Sequence, residues 1–379
     1  MTKWWRKITR FTSWMKVLTV ICLSSLLLAY LCPFVHPSTF WLMPFFGLAY
    51  PIIIICAFLF LIYWAFMKSR WFFVVLGVIL LGGTLHFRTL SITFSSEEAT
   101  KNDNVWKIMS YNVRLFDVYN HSIEERNKNR NAIIAYVEQM NPDVVCFQEF
   151  YQQDKPTGFS TKDTLIELLK LDYYHERYSH KMTGRQNFGI CMLSKYPIVA
   201  KGDVMFSNSS NSDNYCIFAD VVKGGDTLRI YNIHLQSIKL QQDDYALFGE
   251  KNKQANPDKS TFRLLIEKLR VAYPNRADQA RRVTEHMLTS PYPVVICGDF
   301  NDTPMSYVYN QFDSQLVDSY RECATGIGVT YAGKVPAGRI DYIFHTDELL
   351  AQHFTIQEKA YSDHRAIYCE IWKSKLPKE

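Results

Sequence analysis

Residues 294–304 read VVICGDFNDTP: an apolar, β-branched run stops at Gly298, and Asp299, Asn301 and Asp302 follow within four positions. A short Val/Ile run closed by Gly and Pro indicates a buried strand. This strand therefore delivers carboxylates and an amide to one point at its end. The pattern recurs along the chain. Asn112 ends WKIMSYN, Glu149 lies at the end of DVVCFQEF, His234 ends TLRIYNIH, Asp341 lies in RIDYIFHT, and Asp363 with His364 precedes AIYCEIW. Carboxylates, amides and imidazoles gathered at strand ends suit a hard divalent cation and a phosphate ester. Mg²⁺ takes oxygen ligands, usually one or two carboxylates with the rest from water and substrate, and a phosphoester further needs an activated water and donors to its non-bridging oxygens.

Two further apolar runs, GICMLSKY and YCIFADVVK, also read as strands, and 124–140, 161–170 and 276–289 read as helices. Several strands alternate apolar with polar residues, and the KGGDT turn at 223–227 joins two of them tightly, which favours antiparallel pairing in a sandwich covered by helices. The polar stretch 238–275 reads as a long loop.

The first ninety residues differ in kind. They carry eight Lys or Arg and no Asp or Glu, so the total charge of +5 leaves −3 for residues 91–379. A slightly acidic globular part is a poor electrostatic match for nucleic acid. Three apolar runs, 17–35, 40–67 and 71–87, are long enough to cross roughly 30 Å of hydrocarbon as helices. Residues 1–90 are expected to form a membrane anchor, followed by a linker at 91–104, a catalytic domain at 105–373 and a tail at 374–379. Lys3, Arg6, Lys7, Arg10 and Lys16 precede the first run, and Lys68 with Arg70 separates the second from the third. By the positive-inside rule these segments lie in the cytoplasm, and three spans put the catalytic domain on the extracytoplasmic face. Trp4, Trp5, Trp14, Trp41, Trp64 and Trp71 crowd the run ends as interfacial aromatics. Cys146, Cys191, Cys297 and Cys369 lie inside apolar strands and read as buried thiols rather than a disulfide framework.

The ordered series SYNV, QE, LSKYP, NIHLQS, GDFND-P, RIDYI and SDH, spread over 105–373, resembles the endonuclease/exonuclease/phosphatase superfamily. The resemblance implies a four-layer α/β sandwich of two packed, mainly antiparallel sheets flanked by helices, and a metal-dependent phosphoesterase. It makes Glu149 the principal Mg²⁺ ligand, with Asn112 and Asp363 close by and Mn²⁺ as a substitute ion. It gives Asp299 and Asn301 the attacking water, pairs His364 with Asp341 at the phosphate, and places His234 on the scissile phosphate or near the leaving group. Arg114 stands where some family nucleases carry a carboxylate, which favours one metal over two. Arg185 and Asn187 are candidate substrate contacts. The expected partners are the bilayer and a phosphate-ester substrate, whether lipid headgroup, small phosphodiester or nucleic acid; no protein partner is inferable.

Simpler readings compete at single positions. Asp117, Asp143, Asp318 and Asp347 read as turn or surface residues, and Arg276, Gln279 and Arg282 as a solvated helix face. Endonuclease or exonuclease activity is the alternative within enzymes, and a non-catalytic membrane receptor on the same fold is the alternative outside them.

Overall fold

The structure, a computed structural model, describes residues 3–93, 104–118, 122–153, 159–182, 186–206, 215–238, 259–333 and 338–374. The chain divides into two compact units, Met1–Leu90 with Thr303–Asn310, and Ser91–Asp302 with Gln311–Glu379.

The N-terminal unit begins with helices α1 (Lys3–Leu31), α2 (Met43–Phe66), α3 (Trp71–Leu81) and α4 (His86–Thr89). Two segments, Phe11–Phe34 and Met43–Phe66, are long and apolar enough to cross a bilayer, and a third, Trp71–Leu81 with Gly83–Thr89, bends by 72° at its break. Leu26, Ala29, Tyr50, Ala57 and Val75 pack between the helices, while Ile52, Leu59, Phe66 and Leu81 stay exposed. Trp64 does not behave as an interfacial aromatic. It is buried, donates from Nε1 to Thr19 Oγ1 at 3.0 Å and stacks on Trp71, because a buried indole N–H needs a partner.

The second unit contains β1 (Trp106–Asn112), α5 (Ile123–Met140), β2 (Val144–Gln153), α6 (Thr161–Leu169), β3 (Tyr173–Met182), β4 (Gln186–Ser194), β5 (Ile198–Val204), β6 (Tyr215–Lys223), β7 (Asp226–His234), α7 (Lys259–Met287) and β8 (Val294–Asp299). After α8 (Tyr307–Asp313) come β9 (Val317–Asp318), α9 (Ser319–Cys323), β10 (Asp341–His345), β11 (Leu349–Ile356) and β12 (Ile367–Lys373). The strands form two six-stranded mixed sheets, ordered β11-β12-β1-β2-β4-β3 and β5-β6-β7-β8-β10-β9. Each sheet has one parallel pair, β1 with β2 and β7 with β8, and antiparallel neighbours elsewhere. The Gly-Gly turn joins β6 to β7 with Gly224 and Gly225 at φ +58° and +90°, as a two-residue hairpin requires.

Alternation along the strands builds the layers. Ile108, Cys146, Ile230, Val295, Cys297, Ile343 and Cys369 face between the sheets, whereas Met109, Val145 and Phe147 face outward onto Ile133, Val137 and Leu165 of α5 and α6. On the far side, α7 packs beside Phe218 and Tyr231, and His286 meets the Tyr231 hydroxyl at 2.8 Å. All nine cysteines are free.

Two departures from the sequence reading have identifiable causes. The helix expected at 276–289 begins at Lys259, because Leu265, Leu269, Ala272 and Tyr273 extend its apolar stripe past Pro274. Residues 239–258 of the expected loop lie outside the described residues. β3, β5, β9 and β11 are additional strands; β5 and β11 have ends whose side chains face solvent, so their apolar signal is weak.

The topology also explains where chemistry can sit. The C-terminal ends of a parallel pair lie at the same sheet edge as the N-terminal end of an antiparallel neighbour. Asn112, Glu149 and the residues before β12 therefore share an edge of the first sheet, and His234, Asp299 and Asp341 share an edge of the second.

Candidate active site

The site is built around Asp299, the last residue of β8, only 1% exposed. Its neighbour Gly298 has φ +148°, and a Cβ there would stand 2.0 Å from the Ile233 carbonyl oxygen, so only glycine lets β7 and β8 close up at this point. The Asn301 backbone N–H donates to Asp299 Oδ1 at 2.8 Å. Asn301 Nδ2 donates to Asp299 Oδ2 at 3.2 Å and to the Leu235 carbonyl at 3.1 Å. Asn112 Nδ2, arriving from the other sheet, donates to Asp299 Oδ2 at 2.9 Å and to Glu149 Oε1 at 3.5 Å. His234 Nε2 lies 3.7 Å and His364 Nε2 3.7 Å from the same Oδ2.

Local backbone geometry aims these groups. Glu149 sits where the β2–β4 register shifts, with φ +48°, and Asn301 has φ +54°. Such conformations in non-glycine residues cost on the order of 1–3 kcal/mol each and persist where surrounding structure holds them. The bulge turns Glu149 toward the site instead of outward with Val145 and Phe147.

The charges are tightly balanced. Burial works against a charged His364, yet the Asp341 carboxylate, bonded to Nδ1 at 3.0 and 3.1 Å, and then Asp299 hold its pKa well above the ordinary value. Burial raises Asp299, with His364 opposing and Asp341 adding to the rise. Partial burial of the Glu149 carboxyl, then repulsion from Asp363, outweighs His364 and pushes Glu149 up to about 7. Carboxylates held at such close quarters are the donor chemistry that a hard divalent cation neutralises. Asp299, Asp341 and His364 offer ligand atoms that all lie within 4.8 Å of one another. Beside them Glu149 Oε1 is 3.8 Å from His234 Nε2, and Ser362 Oγ bridges the Asn112 carbonyl to Asp363 Oδ1. The residues present fit such an ion.

The structure thus brings together Asn112, Glu149, His234, Asp299, Asn301, Asp341, Asp363 and His364. Arg114 is half exposed, its Nε 3.6 Å from Asp363 Oδ2. Asn187 is buried on β4 opposite Gln152 of β2, and Arg185 lies outside the described residues. Arg276 and Gln279 are not a solvated face: both are buried. Arg276 Nε donates to the Gln236 carbonyl at 2.6 Å and Gln279 Oε1 accepts from the Gln236 N–H at 2.8 Å, which fixes the chain just after His234. The signal was in the spacing, since Ala272, Arg276, Gln279 and Val283 form one helical stripe. Tyr331, whose ring meets His364 edge-on at 5.1 Å, had no signal in the sequence.

A carboxyl group whose folded pKa lies above its unfolded one contributes stability that is complete below the unfolded value, 4.5 for Glu149, and lost as pH rises through about 7. In EDTA at pH 8, Glu149→Gln should therefore melt at a higher temperature than the wild-type protein. Mg²⁺ should raise the wild-type melting temperature and leave that of the variant nearly unchanged. Thermal unfolding of the full chain in detergent measures both, and a variant that melts lower in EDTA would contradict the balance described above.

Residues 109–364 match the model of the Endonuclease/Exonuclease/phosphatase family, and residues 12–89 match a domain family of unknown function. No curated protein matches the chain. Among solved structures, an endonuclease/exonuclease/phosphatase from Bacteroides vulgatus is 15% identical, with a TM-score of 0.51 over 72% of this chain and 100% of that one. A family protein from Leptotrichia buccalis is 17% identical, with a TM-score of 0.50 over 70% of this chain and 99% of that one. At these identities the likeness establishes the fold alone. With the family model spanning most of the chain, from β1 to His364, the protein belongs to the Endonuclease/Exonuclease/phosphatase family.

Proposed function

We propose that the protein is a membrane-anchored, Mg²⁺-dependent hydrolase that cleaves phosphodiester or phosphomonoester bonds by attack of water. The observation that carries this reading is the Asp299 carboxylate, buried and approached at once by Asn112, Asn301, His234 and His364. A carboxylate so fixed, with a charged imidazole beside it, can take a proton from water while the imidazolium stabilises the phosphoryl oxygens.

Glu149, with Asn112 and Asp363 beside it, would hold the Mg²⁺, for which Mn²⁺ can substitute. We favour this position over the Asp299–Asp341–His364 group because Asp341 already turns both oxygens onto His364 Nδ1, and a protonated imidazole is no ligand. When bound, the cation supplies charge neutralisation at a phosphoryl oxygen. Asp299 accepts the proton of the attacking water, and Asn301 holds both oxygens of Asp299 in place. His364, kept charged by Asp341, donates to a non-bridging oxygen. His234, its Nε2 also 3.7 Å from Asp299 Oδ2, holds the scissile phosphate or assists the leaving group. Lipid headgroups and small phosphodiesters are the preferred substrates, since the charge of −3 outside the anchor disfavours a polyanion. Nuclease activity is the second reading within the family.

Full-length enzyme in detergent, given Mg²⁺ and a panel of single- and double-stranded DNA, RNA, phospholipids and simple phosphodiesters, should hydrolyse at least one class and lose that activity in EDTA. Glu149→Gln and Asp299→Asn should each lower turnover at least about a hundredfold. Asp341→Asn should cost less than His364→Ala. Activity that survives chelation and both carboxylate changes would remove the mechanism, and an inert enzyme across the panel would favour a binding module.

The basic residues of the anchor support a cytoplasmic N-terminus, and a third crossing by the bent pair would export the catalytic unit. A Lys373→Cys variant lacking native thiols should then react with a membrane-impermeant maleimide in intact cells, or in spheroplasts of a Gram-negative host. Labelling only after lysis would put the unit in the cytoplasm.

A further inference from the structure

Inside the sandwich, directly beneath the site, lies a polar group that the reaction does not use. Gln148, Asn232 and Ser110 are at most 2% exposed and face one another between the two sheets. Gln148 Nε2 donates to Asn232 Oδ1 at 2.7 Å, to Ser110 Oγ at 3.1 Å and to the Cys146 carbonyl at 3.2 Å. Asn232 Nδ2 donates to the Phe147 carbonyl at 3.1 Å and to the Cys191 carbonyl at 3.0 Å. Elsewhere this interior is apolar, chiefly Ile and Val with Cys, Leu and Ala, and an unsatisfied amide there would cost about 1–3 kcal/mol. Two amides in such a place are tolerated only because they satisfy each other.

Their targets are specific. The β2–β4 ladder loses register between Phe147 and Phe150, so Gln148 and Glu149 both lie in the bulge, and Glu149 takes its positive φ of +48°. Phe147 and Cys191 are the last paired residues before the slip, and Asn232 bonds both of their carbonyls. Gln148 is the residue immediately before Glu149, and its side chain ties the same point of β2 to β7 two residues before His234.

We infer that the Gln148–Asn232 bridge is a positioning element: it holds the β2 bulge open against the second sheet and so sets where Glu149 and His234 stand relative to each other. This rests on the reading of Glu149 as the cation ligand. Neither amide touches substrate or ion.

The test is a double apolar replacement, Gln148→Leu with Asn232→Leu, in the full chain in detergent. Replacing both partners of a buried polar pair restores much of the stability lost when one is removed. A bridge that merely filled the core would therefore leave function intact in the double variant. Mn²⁺ affinity, read by electron paramagnetic resonance of the free ion, should instead weaken about 10- to 100-fold, as when groups that orient metal ligands are removed. Amide hydrogen exchange in EDTA should speed up at 144–153 and stay unchanged at 367–373. Unaltered Mn²⁺ affinity and exchange in a folded double variant would overturn the inference. If the double variant does not fold, Ser110→Ala decides: it removes one partner of Gln148, and Mn²⁺ binding weakened about threefold supports the bridge while unchanged binding rejects it. If wild-type protein binds no Mn²⁺, the cation reading falls, and exchange at 144–153 alone judges the bridge.

Discussion

A carboxylate withdrawn from water must be compensated, and the compensation of Asp299 organises the end of both sheets. Asn301 fixes its two oxygens from the following loop, Asn112 reaches it from the opposite sheet, and His234 and His364 flank one oxygen from β7 and from the segment before β12. Gly298 is needed because β7 and β8 approach too closely there for any Cβ. The buried bonds leave one arrangement of the strand ends. That arrangement brings Glu149, itself pushed up to about 7, alongside.

The fold supplies this convergence through mixed pairing. In a purely antiparallel sheet, consecutive strands would end at alternate edges. One parallel pair in each sheet, β1 with β2 and β7 with β8, brings two strand ends to the same edge, and an antiparallel neighbour adds the start of a third. Six segments thus meet where the two sheets face each other. The positive φ values of Glu149 and Asn301 belong to the same device: one lets a side chain depart from strand alternation at the β2 bulge, and the other lies in the loop after β8 whose Asn301 bonds Asp299.

Much of this is legible in the sequence because strand ends carry a compositional signature. Apolar runs that stop on Asn112, His234 and Asp299 name both the strand and its polar terminus, and the order of the motifs points to the sandwich. What escapes are groups whose role depends on a partner distant along the chain. Arg276 and Gln279 resemble a wet helix face until Gln236 is seen to take both side chains. Asp143 and Asp318 read as surface turns, yet both are buried: Asp143 pairs with Lys223 at 2.6 Å, and Asp318 caps α9 and pairs with Arg339 at 2.6 Å. Gln148 and Asn232 sit inside their motifs without showing that they face each other. In the N-terminal helices, hydropathy gives three apolar segments, but it does not reveal that the third bends by 72° at its glycines.

If the strand-end carboxylates bind a hard cation through Glu149, as proposed, proton release on Mg²⁺ binding is the most direct test. A carboxyl group with a pKa of about 7 must give up its proton to become a ligand. Calorimetric titration of the full chain with Mg²⁺ in buffers of different ionisation enthalpy should show a substantial fraction of a proton released per ion at pH 6.5, falling toward zero at pH 8.5. Glu149→Gln should abolish that release. Mg²⁺ binding with the same proton count at both pH values, or undiminished release from the variant, would contradict the account.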